Sequence, residues 1–301
     1  MMRKSERHLE EMLEEYNEKV NEYDGTGTYE QRLEAYLVRG TILSMLDSYV
    51  SALTDFDEAV ELIGLMEAAD EKVDTGSYIK AYVSRGELQN ADGASGMAQD
   101  YAKASERLDA LKPTSRHFDY RGIIKMCISC SEDLLDDGYS EDVRPFFYKA
   151  EMMLFDKNDP WSRNRYIEAL NLIGQSEQDS GRFDESKEHL DRSIALSQEL
   201  MREEELEDEM ALVFALILRG DANVKDLDHE AALRDYEAAI SILEVMMAYH
   251  RPEIKELLMQ THREVSELLM DMGDAEEAEK HMLRALELNV GNGIISDVDV
   301  F

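Results

Sequence analysis

Small and apolar residues recur along this chain in a fixed order. A small residue stands at Gly40, Gly86, Ser131, Gly174, Gly220 and Ser266, at steps of 43 to 46 residues. About twelve residues after each comes a second set, with a bulky side chain four places on and a small one three places further. These sets are Ala52, Phe56, Ala59; Met97, Tyr101, Ala104; Val143, Phe147, Ala150; Ser186, Leu190, Ser193; Ala232, Tyr236, Ala239; and Ala278, Met282, Ala285. The i, i+4, i+7 spacing is one face of a helix. Small beside bulky lets two helices approach while a ring or long chain fills the hole between them. Between the two sets lie Gly93, Gly138, Gly181 and Gly273, a residue type that accepts the left-handed conformation closing a helix. The pattern predicts six antiparallel helical hairpins over residues 25–290, stacked so that each buries its faces against its neighbours.

The ends differ from this unit. Residues 1–24 form one amphipathic helix, with Leu9, Met12, Leu13, Tyr16, Val20 and Tyr23 apolar, expected to cap the first hairpin. Asp24-Gly25-Thr26-Gly27 breaks it. Residues 291–301 are a short tail containing Ile294, Ile295 and Phe301. A stack of repeats needs a polar end face. The last hairpin is therefore expected to be covered by this tail or by a second copy, in a homodimer through the C-terminal end, the alternative being a disordered tail.

The repeats carry a family likeness. Their order resembles the tetratricopeptide repeat, which has a small residue at position 8, glycine near 15, alanine at 20, an aromatic at 24 and alanine at 27. Leu216 to Leu243 and Leu33 to Leu62 are the fullest copies, and the third, with Val143 and Pro145, departs furthest. The resemblance covers roughly residues 29–290 and implies an all-α solenoid of about 13 helices wound as a right-handed superhelix. The family's period is about 34 residues, whereas the steps here are longer. Each helix is thus expected to run about 20 residues, roughly 30 Å.

Composition supports this and narrows function. Four prolines in 301 residues, with hydrophobic residues at 44%, fit an all-helical chain with an extensive core. Acids outnumber bases 67 to 32, a formal charge of −35. That field repels phosphate backbones and anionic membranes and favours basic partners. No secretory leader is expected in the charged residues 1–15, and the longest apolar run, Ala211 to Leu218, is too short to span a bilayer. The only cysteines, Cys127 and Cys130, read as reduced, buried thiols on one helix face. A cytoplasmic protein is expected.

One charged pattern changes in step between repeats. Arg39, Arg85 and Arg219 precede the small position only where Asp55, Asp100 and Asp235 precede the aromatic. The other repeats have Cys130, Ile173 and Val265 with Phe146, His189 and His281. This points to a bidentate salt bridge between the two helices of a hairpin. Other motifs fall short. The Cys127/Cys130 pair lacks the second pair of a zinc site, and His229-Glu230 lacks the second histidine of a zincin. No enzyme, metal or cofactor is expected.

The resemblance also implies a partner surface, because the family's ligands meet the first helix of each hairpin. Matched positions give Glu34 and Leu37 in the first repeat, Lys80, Val83 and Glu87 in the second, and Lys125, Ile128 and Glu132 in the third. The fourth gives Asn171, Gln175 and Gln178, the fifth Phe214, Ile217 and Asp221, and the sixth Arg263, Glu267 and Met270. An apolar row beside an acidic one suits a basic, amphipathic peptide, with the amides of the fourth repeat holding its backbone. The expected function is a scaffold or adaptor binding a protein segment in this groove. A peptide-sensing regulatory receptor and a homo-oligomerising module are the alternatives.

Overall fold

A computed structural model describes residues 4–91, 96–247 and 252–290. Thirteen α-helices and no strands occur among the described residues. They are α1 (Lys4–Tyr23), α2 (Tyr29–Met45), α3 (Tyr49–Ala68), α4 (Thr75–Ala91), α5 (Met97–Ser105), α6 (Tyr120–Asp136) and α7 (Arg144–Leu154). They continue with α8 (Pro160–Asp179), α9 (Phe183–Glu203), α10 (Glu209–Lys225), α11 (His229–Met247), α12 (Pro252–Met272) and α13 (Ala275–Val290). None is long and apolar enough to cross a membrane. The chain divides into two compact units, residues 1–153 and 154–301.

In the first unit, α1 packs on α2, which pairs with α3, and α4 pairs with α5. α6 and α7 are tied where the Tyr120 hydroxyl donates to the Met153 carbonyl at 3.1 Å. In the second unit, α8 pairs with α9, α10 with α11 and α12 with α13. The small positions exist for close approach. A Cβ on Gly40, Gly86 or Gly220 would lie 2.9, 2.6 or 2.6 Å from the ring of Phe56, Tyr101 or Tyr236, and one on Gly174 would meet Leu190 at 2.8 Å. Those bulky residues are almost fully buried.

Local chemistry sets the helix ends. Thr28 and Gln31 form a reciprocal capping box on α2, and Asp119, Asp159 and Asp208 cap α6, α8 and α10. Gly138, Gly181 and Gly273 hold φ of +82°, +74° and +84° at the hairpin turns. The first and fifth hairpins make the same turn with Asp47 at +57° and Leu227 at +61°. Gly93 and the tail 291–301 lie outside the described residues.

Two helices fall far short of the expected 20 residues or so: α5 has nine and α7 eleven. The extra length of the second repeat goes instead into a connection over residues 106–119, with a 3-10 turn at Leu108–Ala110. Pro145 does not disturb α7. It is the helix's second residue, where its missing N–H has no intrahelical partner to lose.

Candidate protein-binding surface

The predicted hairpin clasp is present and bidentate. Arg39 donates to Asp55 at 2.8 and 2.6 Å, Arg85 to Asp100 at 2.7 and 2.6 Å, and Arg219 to Asp235 at 3.0 and 2.5 Å. Each arginine also reaches the preceding helix pair or cap: Asn17 on α1 at 3.4 Å, Asp57 on α3 at 3.3 Å, and Asp191 on α9 at 2.6 Å. The clasp is therefore a tie between neighbours as well as within a hairpin. Where it is absent, other pairs replace it. Cys130 and Phe146 are both fully buried, Glu177 meets His189 at 2.9 Å, and the Nδ1 atoms of His262 and His281 lie 3.0 Å apart.

These contacts commit the clasp to the fold, so a partner must meet other side chains. The acidic row of the first helices is accessible: Glu87, Glu132 and Glu267 are exposed and Asp221 half-buried, while Arg263 is also exposed. Most of the apolar positions are not presented to solvent, although Phe214 and Met270 of the second unit are 49% and 58% exposed. Val83 and Ile128 are 3% and 6% exposed, Leu37 is fully buried, and Ile217 is half-buried against the core of the second unit. The reason is that first helices pack side by side, α2 with α4, α4 with α6 and α8 with α10, and this row fills those seams.

The amides of α8 are also engaged. Asn171 donates to the Ala211 carbonyl at 2.8 Å and accepts from the Ser193 hydroxyl at 2.5 Å. Gln178 donates to the Leu218 carbonyl at 2.7 Å. Both tie α8 to α10, which removes them as holders of a peptide backbone. Gln175, between them on the same helix, is half-buried.

In the first unit a bay of about 370 Å³ opens between α4 and α6, bounded by Lys80, Val83, Glu87, Lys125 and Met126 and by His117 and Phe118 of the connection. Desolvation by the bay walls raises the Glu87 carboxyl, with Lys80 opposing. The same desolvation lowers Lys80, with Glu87 opposing. In the second unit, burial raises Asp221, whose carboxylate accepts the Tyr236 hydroxyl at 2.5 Å. Cys127 and Cys130 are buried free thiols. Burial pushes Cys127 up to about 12 and Cys130 well above its ordinary value, so both stay protonated and unreactive.

Residues 112–118 of the connection also reach this face. Their signal in the sequence is the clustering of Lys112, Arg116 and His117 in a strongly acidic chain, together with a glycine, Gly76, inside the first turn of α4.

Comparisons with known proteins agree with this architecture. Residues 167–200 and 265–289 match the family model of the tetratricopeptide repeat. No curated protein matches the chain in sequence. Among solved structures, BtubC from P. vanneervenii is similar at 15% identity, over 85% of this chain and 96% of that one, with a TM-score of 0.58. Aspartyl phosphate phosphatase F from Bacillus subtilis is similar at 12% identity, over 98% of this chain and 77% of that one, with a TM-score of 0.57. The C-terminal part of a TPR repeat-containing protein from Cytophaga hutchinsonii gives 15%, 94% and 98%, with a TM-score of 0.51. At these identities the likeness is one of fold. Two segments thus match the tetratricopeptide repeat in sequence, within a chain that folds as a similar solenoid of helical hairpins.

Proposed function

We propose that the chain is a non-enzymatic scaffold or adaptor that holds a basic segment of a partner protein against the first helices of its hairpins. The observation that carries this reading is the accessible acidic row, Glu87 and Glu132 in one unit and Glu267 in the other. Within the first unit, Glu87 and Glu132 stand at the same helical position of adjacent hairpins and offer two sites to a cationic segment crossing α4 and α6. Because Val83 and Ile128 are buried, the favoured partner is polar and basic on the side it presents, with few apolar anchors. The overall charge of −35 steers such a segment and repels nucleic acid and anionic lipid. The proposal includes a cytoplasmic setting, with which two buried free thiols are compatible.

An array of Lys/Arg-rich peptides tested against the full chain decides the matter. Binding should weaken roughly tenfold or more in the Glu87→Lys/Glu132→Lys variant, as expected when like charges are juxtaposed. Equal binding by both proteins would sink the proposal. A second reading, homo-oligomerisation, is favoured by Met282, Leu283 and Leu286 of α13, which are 37%, 51% and 49% exposed. Sedimentation showing a strict monomer at all concentrations, with and without residues 291–301, would exclude it.

A further inference from the structure

The connection between α5 and α6 lies against the first helices of its own unit. Leu111 is buried, and the Lys149 ammonium donates to the carbonyls of Leu111 at 3.0 Å and Asp109 at 3.4 Å. A tight turn follows, closed by the Ser115 N–H donating to the Lys112 carbonyl at 2.8 Å. Pro113, second in that turn, pre-sets its φ. The chain then crosses the start of α4, where a Cβ on Gly76 would lie 2.0 Å from the Arg116 carbonyl oxygen. Arg116 meets Glu30 at 2.9 Å and His117 meets Glu34 at 3.2 Å, both on α2. Glu34 is one of the partner-facing positions of the first hairpin, and the His117 side chain is only 13% exposed there. His117 holds φ +65°, a left-handed conformation uncommon for a non-glycine residue.

We infer that Lys112–Phe118 is a strap that occupies, in cis, the partner face of the first two hairpins, and that a partner segment of the same chemistry displaces it. That chemistry is an arginine and an adjacent imidazole followed by an aromatic ring. The inference rests on the proposal that the first helices take basic segments, and it gives the first unit a built-in competitor. The strap's charged contacts are weak enough to exchange. The Arg116 and Glu30 side chains are 49% and 61% exposed, and solvated pairs of this kind contribute little. Its advantage is the tether, which gives it an effective concentration on the order of millimolar. Phe118 lines the bay beside Glu87, so a displacing segment gains that space as well as Glu30 and Glu34.

The test uses a fluorescent peptide with the sequence of residues 111–119, titrated into the full-length protein. Gly76→Ala puts a methyl group against the Arg116 carbonyl while favouring the α4 helix. It should raise hydrogen exchange over residues 112–118 and tighten peptide binding at least about tenfold over wild type. Adding Glu30→Lys/Glu34→Lys should abolish the gain. If exchange does not rise, or the variant does not fold, Arg116→Glu/His117→Glu serves as the release variant under the same comparison. Equal peptide affinity before and after release, or no binding after release, overturns the inference. If polybasic peptides still bind and Glu87→Lys/Glu132→Lys still weakens them, the scaffold reading stands and only the strap falls. If no basic peptide binds either protein, both fall.

Discussion

Arg219 uses all three arms of its guanidinium. Two hold Asp235 and the third holds Asp191 of the preceding hairpin. Asp235 is 5% exposed and also accepts from Asn223 at 3.1 Å. Asp235→Ala therefore strands a cation and an amide. Breaking a buried pair costs about 3–5 kcal/mol. The Arg219 side chain is 25% exposed and can turn to water, so the expected loss is about 2–3 kcal/mol, read from urea unfolding. Arg219→Met/Asp235→Leu should recover part of it, since the third hairpin already fills the same site with buried Cys130 and Phe146. A loss below about 0.5 kcal/mol would reduce the clasp to a surface pair. The pairing within a hairpin was legible because both residues change together. The third arm was not, since Asp57 and Asp191 mean nothing until the neighbouring helix is in place. Glu177 escaped notice because it sits one turn beyond Ile173, on the residue that can reach His189.

The α12/α13 hairpin fills its clasp site with two histidines, and this makes it an acid-sensitive element. His262 is 5% exposed, and its Nδ1 faces that of His281. Burial first, then His281 and Arg284, push His262 down to about 4, with Glu244 opposing. The unfolded chain, with His262 near 6.5, thus binds the proton more readily than the folded one. The contribution of neutral His262 is complete above about pH 6.5 and is lost as pH falls towards 4, at most about 3 kcal/mol. Hydrogen exchange in α12 and α13, corrected for its intrinsic pH dependence, should rise across that window, and His262→Phe should flatten the rise. An unchanged slope in the variant would assign the acid response to other groups. Helix existence was readable from the repeating small and bulky residues, whereas the short α5 and α7 were not. Their lengths follow from where the connection at 106–119 and the residues before Pro160 leave the helix, and the repeat pattern does not mark those points.

For the molecule as a whole, the stack of hairpins was plain in the sequence, while the character of its partner surface was only half visible. The acids Glu87, Glu132 and Glu267 are exposed as the pattern implied. Val83 and Ile128 are not, because packing between adjacent first helices decides which row is sealed, and no single hairpin records that contact. What remains outside is largely anionic, and the charge of −35 acts on folding and binding with opposite signs. Self-repulsion opposes the compact state, so salt that screens it should stabilise the fold. The Debye length falls from about 30 Å at 0.01 M to about 10 Å at 0.1 M, which reaches exposed acids but affects half-buried pairs such as Arg39–Asp55 much less. The same screening removes the attraction for a cationic peptide. From about 0.01 to 0.1 M NaCl the thermal midpoint should therefore rise while peptide affinity falls. If the midpoint falls together with affinity, the ion pairs outweigh the repulsion, and the exposed acids belong to the fold more than to a partner.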